Sequence, residues 1–201
     1  SAPEIKNNKM LSHGADFVLI RDEKKVFIGN TVAIQDYESY SHRDYDRPRR
    51  NAKSGMLPPK IAQVMINLIP SKTKNLVYDP FCGNGTVLQE ASLMGYDVMG
   101  SDISKDRIYD TKENLKWLSK EYGVTIDLEK NIFQSDALEL SEDILPVKPD
   151  VIVSEVYLGP PLTDKLTPKE AIEITDGMNK KYSDFLKNTL DFLPSTRYVI
   201  L

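Results

Sequence analysis

Only one cysteine, Cys82, occurs in the 201 residues, which excludes an intramolecular disulfide and any metal site built on several thiolates. The two histidines, His13 and His42, stand far apart, so zinc ligation has no donor set either, and we expect no metal. No run approaches 18 apolar residues, and no secretory leader is visible, which leaves the expectation of a soluble, cytoplasmic protein without a membrane partner. An excess of positive charge is also missing. Lys and Arg number 26 against 30 Asp and Glu, a formal net charge of −4, so nothing draws the whole molecule toward polyanions. A local basic patch remains compatible with RNA. What is present is a 40 % share of hydrophobic residues, enough to build the core of one domain.

The first ten residues are polar and read as a loose arm. Phe17 to Ile20 and Val26 to Ile28 read as strands joined by the charged turn Arg21-Asp22-Glu23-Lys24, with Thr31 to Ile34 as a third. Residues 36–55 read as polar and irregular. Beyond them a helix starts near Pro58, where proline suits a first turn, and Ile61, Val64, Met65 and Leu68 fall at the spacing of one apolar face.

After Pro70 the pattern alternates. Strands are expected at 76–78, 96–100, within 124–134, at 151–153 and from 197. Between them lie a helix carrying Val87, Leu88, Ala91 and Met94, another over about 105–122, and an amphipathic one with Tyr182, Phe185, Leu186, Thr189 and Leu193 on one side. Such alternation predicts an α/β fold, a mostly parallel sheet covered on both faces. A strand at the extreme end, with no helix after it, reads as a sheet truncated after its fifth strand and as a piece of a longer protein.

Asp79-Pro80-Phe81-Cys82-Gly83-Asn84-Gly85-Thr86 joins the first of these strands to its helix. Two glycines flanking one residue let the backbone approach a ligand closely, and the helix amides beyond favour polar or negative groups. A dinucleotide fold would place a third glycine where Leu88 stands. The acidic Asp79 leading into the turn suits a ligand with a cationic amino-acid head better than a pyrophosphate. Asp102, at the end of the second strand and followed by Ile103, is placed to accept both hydroxyls of a ribose, while capping of the following helix by Asp102 or Ser104 is a competing and compatible role. Asp136, followed by Ala137, is the third acid after successive strands and suits an adenine amino group. Cys82 reads as a small residue in a tight turn, without a partner base for nucleophilic chemistry.

With these residues the chain resembles the class I, Rossmann-like methyltransferases, which fold as a three-layer sandwich and use S-adenosylmethionine. Within them it is similar to the THUMP-associated tRNA guanosine N2-methyltransferases, which act at tRNA position ten. Arg43-Asp44-Tyr45-Asp46-Arg47-Pro48 running into Gly55-Met56-Leu57-Pro58-Pro59-Lys60-Ile61-Ala62 carries the narrower likeness, and Tyr78 to Thr86 the broader one. It spans residues 36–201. The resemblance implies that Asp79, Gly83 and Gly85, with Pro80, Phe81, Cys82 and Asn84 between and beside them, line the methionine end of the cofactor. It implies Asp102 and Ile103 at the ribose and Asp136 and Ala137 at the adenine. It also implies an RNA-binding THUMP region upstream, for which 35 residues are too few; residues 15–35 then read as the last strands of its connector.

The family's Asp-Pro-Pro-Tyr motif after the fourth strand is replaced here by Glu155-Val156-Tyr157-Leu158. Glu155 takes the place of the acid, neither proline is kept, and the aromatic residue arrives one position early. Glu155 as acceptor for an amine and Tyr157 as stacking platform are therefore the expected catalytic pair, against a plain strand-end carboxylate and a packing ring. Arg43, Arg47, Arg49, Arg50 and Lys53, interleaved with Tyr45, form the candidate RNA-facing loop, against an internal ion pair at Arg47 with solvated neighbours. The expected function is N-methylation of an exocyclic base amine in RNA, a tRNA guanosine. Methylation of DNA or protein amines, and a cofactor-binding but inactive module, are the alternatives.

Overall fold

The computed structural model describes residues 1–14, 16–50, 56–70, 76–141, 143–145, 147–159, 166–192 and 198–201. The chain divides into two compact units, residues 1–43 and 44–201.

The first unit is helical where a loose arm was expected. α1 (Ala2–Asn7) has Pro3 in its first turn, and Ser1 Oγ is hydrogen-bonded to the Glu4 carboxylate at 3.0 Å, a Ser-x-x-Glu start signal; α2 (Met10–His13) follows. β1 (Phe17–Arg21) and β2 (Val26–Asn30) form the expected antiparallel hairpin. The expected third strand at 31–34 is absent, because Thr31 turns its bonds back onto Asp16, backbone at 3.0 Å and side chain at 2.5 Å, and closes the hairpin's base. α3 (Tyr37–Tyr45) replaces the irregular stretch and runs across the division between the units. Asp36 caps it by accepting the Ser39 amide at 3.2 Å, and Arg43 lies over the Tyr40 ring one turn away.

The second unit is a five-stranded parallel sheet of order β5-β4-β3-β6-β7, made of β3 (Leu76–Asp79), β4 (Asp97–Asp102), β5 (Ile132–Gln134), β6 (Val151–Val153) and β7 (Tyr198–Ile200). Side chains alternate across it. Val77, Val98, Val151 and Val153 enter one core with α4 (Pro59–Ile66), α5 (Thr86–Leu93) and α6 (Lys105–Tyr122). Tyr78, Met99 and Ile152 enter the opposite core with Phe185 of α8 (Pro168–Phe192). Burial on both faces is why these strands are continuous apolar runs. A short α7 (Leu128–Asn131) leads into β5.

α4 presents a different face from the expected one. Ile61, Val64 and Leu68 are exposed, whereas Pro59, Ala62, Ile66 and Ile69 are buried, with Met65 partly so. The helix is apolar nearly all round, and small Ala62 on its inner side suits close packing against α5. A similar exchange of bulk occurs at Leu88. A Cβ on Gly100 of β4 would lie 2.4 Å from Leu88 Cδ1, so the bare strand residue admits the leucine that stands where a dinucleotide fold has its third glycine.

Strand order reverses between β3 and β6, and ligands of open α/β sheets bind outside the carboxyl ends at such a point. Asp79, Asp102 and Glu155 all sit at those ends.

Candidate active site

At the end of β3 the chain must turn sharply into α5, and the sequence supplies two residues with positive φ, Gly83 at 53° and Gly85 at 84°. The turn is bonded on three sides. The Cys82 amide donates to the Ser101 carbonyl (2.9 Å), the Gly83 amide to Asp102 Oδ2 (3.0 Å), and Thr111 Oγ1 of α6 to the Gly83 carbonyl (2.7 Å). The other Asp102 oxygen accepts the Ser104 amide at 2.9 Å, while Ser104 itself caps α6. Asp102 thus braces the loop after β4 and is still half-buried at the cleft, so both roles read from the sequence are open to it.

That cleft is about 840 Å³ and is lined by Asp79, Pro80, Phe81, Cys82, Gly83, Asn84, Asp102, Ile103, Asp136, Ala137, Glu155 and Tyr157. Met56 and Leu57 of the upstream motif, Arg107 of α6, and Met178, Lys181 and Tyr182 of α8 also line it. Gly85 is the expected cofactor residue that does not reach it. A Cβ there would meet Thr111 Cγ2 at 3.1 Å, so Gly85 serves the packing of the turn on α6. Asp136 Oδ1 accepts the Leu138 amide at 2.9 Å, and Gln134 holds the Ile103 carbonyl at 2.9 Å.

Asp79 is buried, and its Oδ1 accepts both Ser154 Oγ (2.6 Å) and the Phe81 amide (3.1 Å). Burial pushes its pKa up to about 7, and the carboxylates of Asp102 and Glu155 push the same way against those two bonds. Burial also raises Glu155, which is half-exposed, and the Cys82 thiol. Ser154 was not singled out from the sequence, although its place between the last residue of β6 and Glu155 is a usable signal. Thr111 and Asn114 were also missed; with Arg107 they form a polar stripe at helical spacing along α6.

The basic cluster divides. Arg43 is buried on α3, with its guanidinium on the Ser39 carbonyl at 3.2 Å. Arg47 is buried too, donating to Thr86 Oγ1 (2.7 Å) and Gln89 Oε1 (3.3 Å) with Asp44 at 3.9 Å. Neither faces solvent, which corrects the expectation that they contact RNA; the internal reading holds at Arg47, because buried guanidinium needs partners and α5 supplies them. Arg49 and Arg50 are exposed, stacked on Tyr109 (4.9 Å) and Tyr45 (4.4 Å). Lys53 lies outside the described residues.

A family model described as "RMKL-like, methyltransferase domain" matches residues 47–156, more than half of the chain and all of the turn, the three strand-end acids and Glu155. The chain belongs to this family. As a methyltransferase domain it takes S-adenosylmethionine, and the site suits that group: positive-φ backbone beside a buried acid, and further carboxylates at the ends of β4 and past β5. Among curated relatives, a tRNA (guanine(10)-N2)-dimethyltransferase of Methanothermobacter thermautotrophicus is 39 % identical over 123 residues, 60 % of this chain and 34 % of that protein. The human U6 snRNA (guanine-N(2))-methyltransferase THUMPD2 is 33 % identical over 116 residues, 55 % of this chain and 21 % of that protein. The chain spans about a third of the length of three archaeal relatives that it matches, at 34 %, 29 % and 31 %. The solved structure of TrmN from Thermus thermophilus shares the fold, with TM-score 0.55 and 20 % identity over 99 % of this chain and 56 % of that one. Among the described residues, no helix is long and apolar enough to cross a membrane and no acid, histidine and cysteine cluster suits a metal.

Asp79 carries a pH signature. Its folded pKa of about 7 lies above its ordinary 3.8, so between those values the folded chain keeps a proton that the unfolded chain has lost. Its contribution to stability is full below the lower value and falls as pH rises to the upper one. A cationic head group beside it favours the carboxylate. Cofactor binding at pH 6 is therefore expected to release close to one proton, and at pH 8 almost none. Calorimetry in buffers of different ionisation enthalpy measures this, and Asp79→Asn should abolish it. Equal proton release at both pH values would show that Asp79 does not meet the amino group.

Proposed function

We propose that this domain methylates the exocyclic N2 amine of a guanosine in RNA, with residues 36–201 as the methyltransferase domain and 1–35 as arm and connector. The observation that carries the reading is the pairing of half-exposed Glu155 with the half-exposed Tyr157 ring on the wall of the cleft that also holds Asp79. Bound S-adenosylmethionine supplies a methyl group activated by a sulfonium. Asp79, Gly83 and their cleft-lining neighbours Pro80, Phe81, Cys82 and Asn84 would hold its methionine end, Asp102 and Ile103 its ribose, and Asp136 and Ala137 its adenine.

An exocyclic amine is a weak nucleophile because its lone pair is delocalised into the ring. The protein's task is to orient the nitrogen and to accept its hydrogens as positive charge grows on it. Tyr157 stacks the base, and Glu155 accepts from the amine. The Tyr157 carbonyl is engaged by the Tyr182 hydroxyl, which leaves Glu155 and the Val156 carbonyl as the acceptors. No strong base is required, since the proton leaves after the methyl has moved. Exposed Arg49 and Arg50, each held against a tyrosine ring, supply the phosphate contacts. The names of the guanine-N2 relatives support the choice of amine.

The test offers the chain labelled S-adenosylmethionine with tRNA, duplex DNA and a protein mixture, then digests the labelled product to nucleosides or amino acids. Label in N2-methylguanosine from RNA is the expected result, lost in Asp102→Ala together with cofactor binding. Label only in DNA or protein, or tight cofactor binding without transfer, would overturn the reading.

A further inference from the structure

One face of α8 touches three of the four loops around the cleft, those after β3, β5 and β6. Asn188 Nδ2 donates to the Leu138 carbonyl at 2.5 Å, Phe185 meets the Phe81 ring edge-on at 5.1 Å, and the Tyr182 hydroxyl donates to the Tyr157 carbonyl. A Cβ on Gly159, at φ 97°, would lie 3.1 Å from Met178 Sδ, so the loop after β6 runs close against α8. Lys181 stands on this same face, its ammonium 5.6 Å from the centre of the Tyr157 ring and within the cleft wall. Its position is thus set by the seating of the helix on both sides of it.

Among the described residues the cleft wall carries four carboxylates, Asp79, Asp102, Asp136 and Glu155, against two cations, Arg107 and Lys181. Arg107 is already paired, with Asp110 at 3.5 Å and Asn84 Oδ1 at 2.9 Å. Among the described residues Lys181 makes no ion pair, and it does not pair with Glu155 although both line one cleft. An acceptor carboxylate and a separate ammonium around one stacking ring form a complementary pattern. The Watson–Crick edge of guanine presents donors at N2 and N1 and an acceptor at O6. Glu155 suits the first two and Lys181 the third, whereas an aminopurine without O6 leaves the ammonium desolvated and unmatched.

We propose that Lys181 is a specificity-determining residue that donates to O6 of the purine stacked on Tyr157, so that the domain selects guanine from other purines bearing a 2-amino group. This rests on the guanosine N2 reading above.

The experiment compares methylation of a short RNA holding a single guanosine with the same RNA holding 2-aminopurine, which keeps the amine, lacks O6 and presents N1 as an acceptor instead of a donor. Wild type is expected to prefer guanosine by about tenfold or more in kcat/KM, the loss typical of an unmatched charged hydrogen bond. Lys181→Met should shrink that preference by about tenfold, to the part set by Glu155 facing the N1 acceptor of 2-aminopurine, and Lys181→Arg should restore some of it. Cofactor affinity, measured by calorimetry, should be unchanged in both variants. If Lys181→Met weakens both RNAs equally, the lysine binds phosphate; if it weakens the cofactor and leaves the ratio alone, it binds the cofactor's carboxylate. Either result overturns the proposal while the guanosine reading stands. If wild type methylates neither RNA, both fall together.

Discussion

Replacing Glu155 with glutamine is expected to slow methyl transfer to RNA by about 100- to 1,000-fold while leaving cofactor affinity nearly unchanged. Glutamine keeps the size and one acceptor oxygen but turns the other oxygen into a donor, which then opposes the amine hydrogens. It also removes the negative charge that faces the cation forming on nitrogen. The penalty falls on the transition state, so kcat should drop with little change in KM. Tyr157→Ala should behave differently. Loss of a stacking face is worth about 1–3 kcal/mol per base, and it should appear mostly in KM. Single-turnover rates with saturating cofactor, alongside calorimetric binding, separate the two effects. Normal turnover in Glu155→Gln would mean that the Val156 carbonyl alone orients the amine.

Asn114→Ala is expected to destabilise the second unit by about 3–5 kcal/mol, the range of a broken buried hydrogen-bond network. Asn114 is fully buried on α6. Its Oδ1 accepts the Arg49 amide at 2.8 Å, and its Nδ2 donates to the carbonyls of Arg49 and Asn84, both at 2.9 Å. One side chain thereby clips the segment after Arg47 to the glycine turn. Removing it strips a partner from three backbone groups, of which the Arg49 carbonyl keeps the Asn84 side chain at 3.0 Å. Urea unfolding followed by the single tryptophan, Trp117 on the same helix, reports on this unit. Asn114→Asp keeps the acceptor but turns an oxygen toward two carbonyls and buries a carboxylate, so it should cost at least as much as alanine. A loss below about 1 kcal/mol would mean that water replaces the side chain at little cost.

Much of the second unit was legible because local chemistry and tertiary demand agree there. α6 spans the expected residues 105–122 since Ser104 caps its start and Gly123, at φ 72°, ends it. The turn at 79–86 was legible because two glycines between a strand and a helix have few other uses. Residues whose partners are remote in sequence were not. Arg47 reads equally as RNA-facing or internally paired until Thr86 and Gln89 are seen beside it, 39 and 42 positions away. The inner face of α4 was misread because Ile61, Val64 and Leu68 are larger than Ala62, and periodicity weighs bulk rather than fit. α3 was missed because its helix-forming signals, the Asp36 cap and the Arg43–Tyr40 stack, are carried by polar residues. Nothing local marks Lys181, whose place in the site depends on α8 seating on the loop after β6.

Cys82 gives the domain a built-in clock. It is the single thiol of the 201 residues, it is buried inside the glycine turn, and burial keeps it in the unreactive protonated form. A thiol reagent can reach it only when the turn opens, so its rate of labelling counts those openings directly. Whatever binds in the turn and holds it shut must slow the labelling in proportion to occupancy. Ligands can thus be ranked by how long they keep one sulfur silent, without turnover and without any added probe.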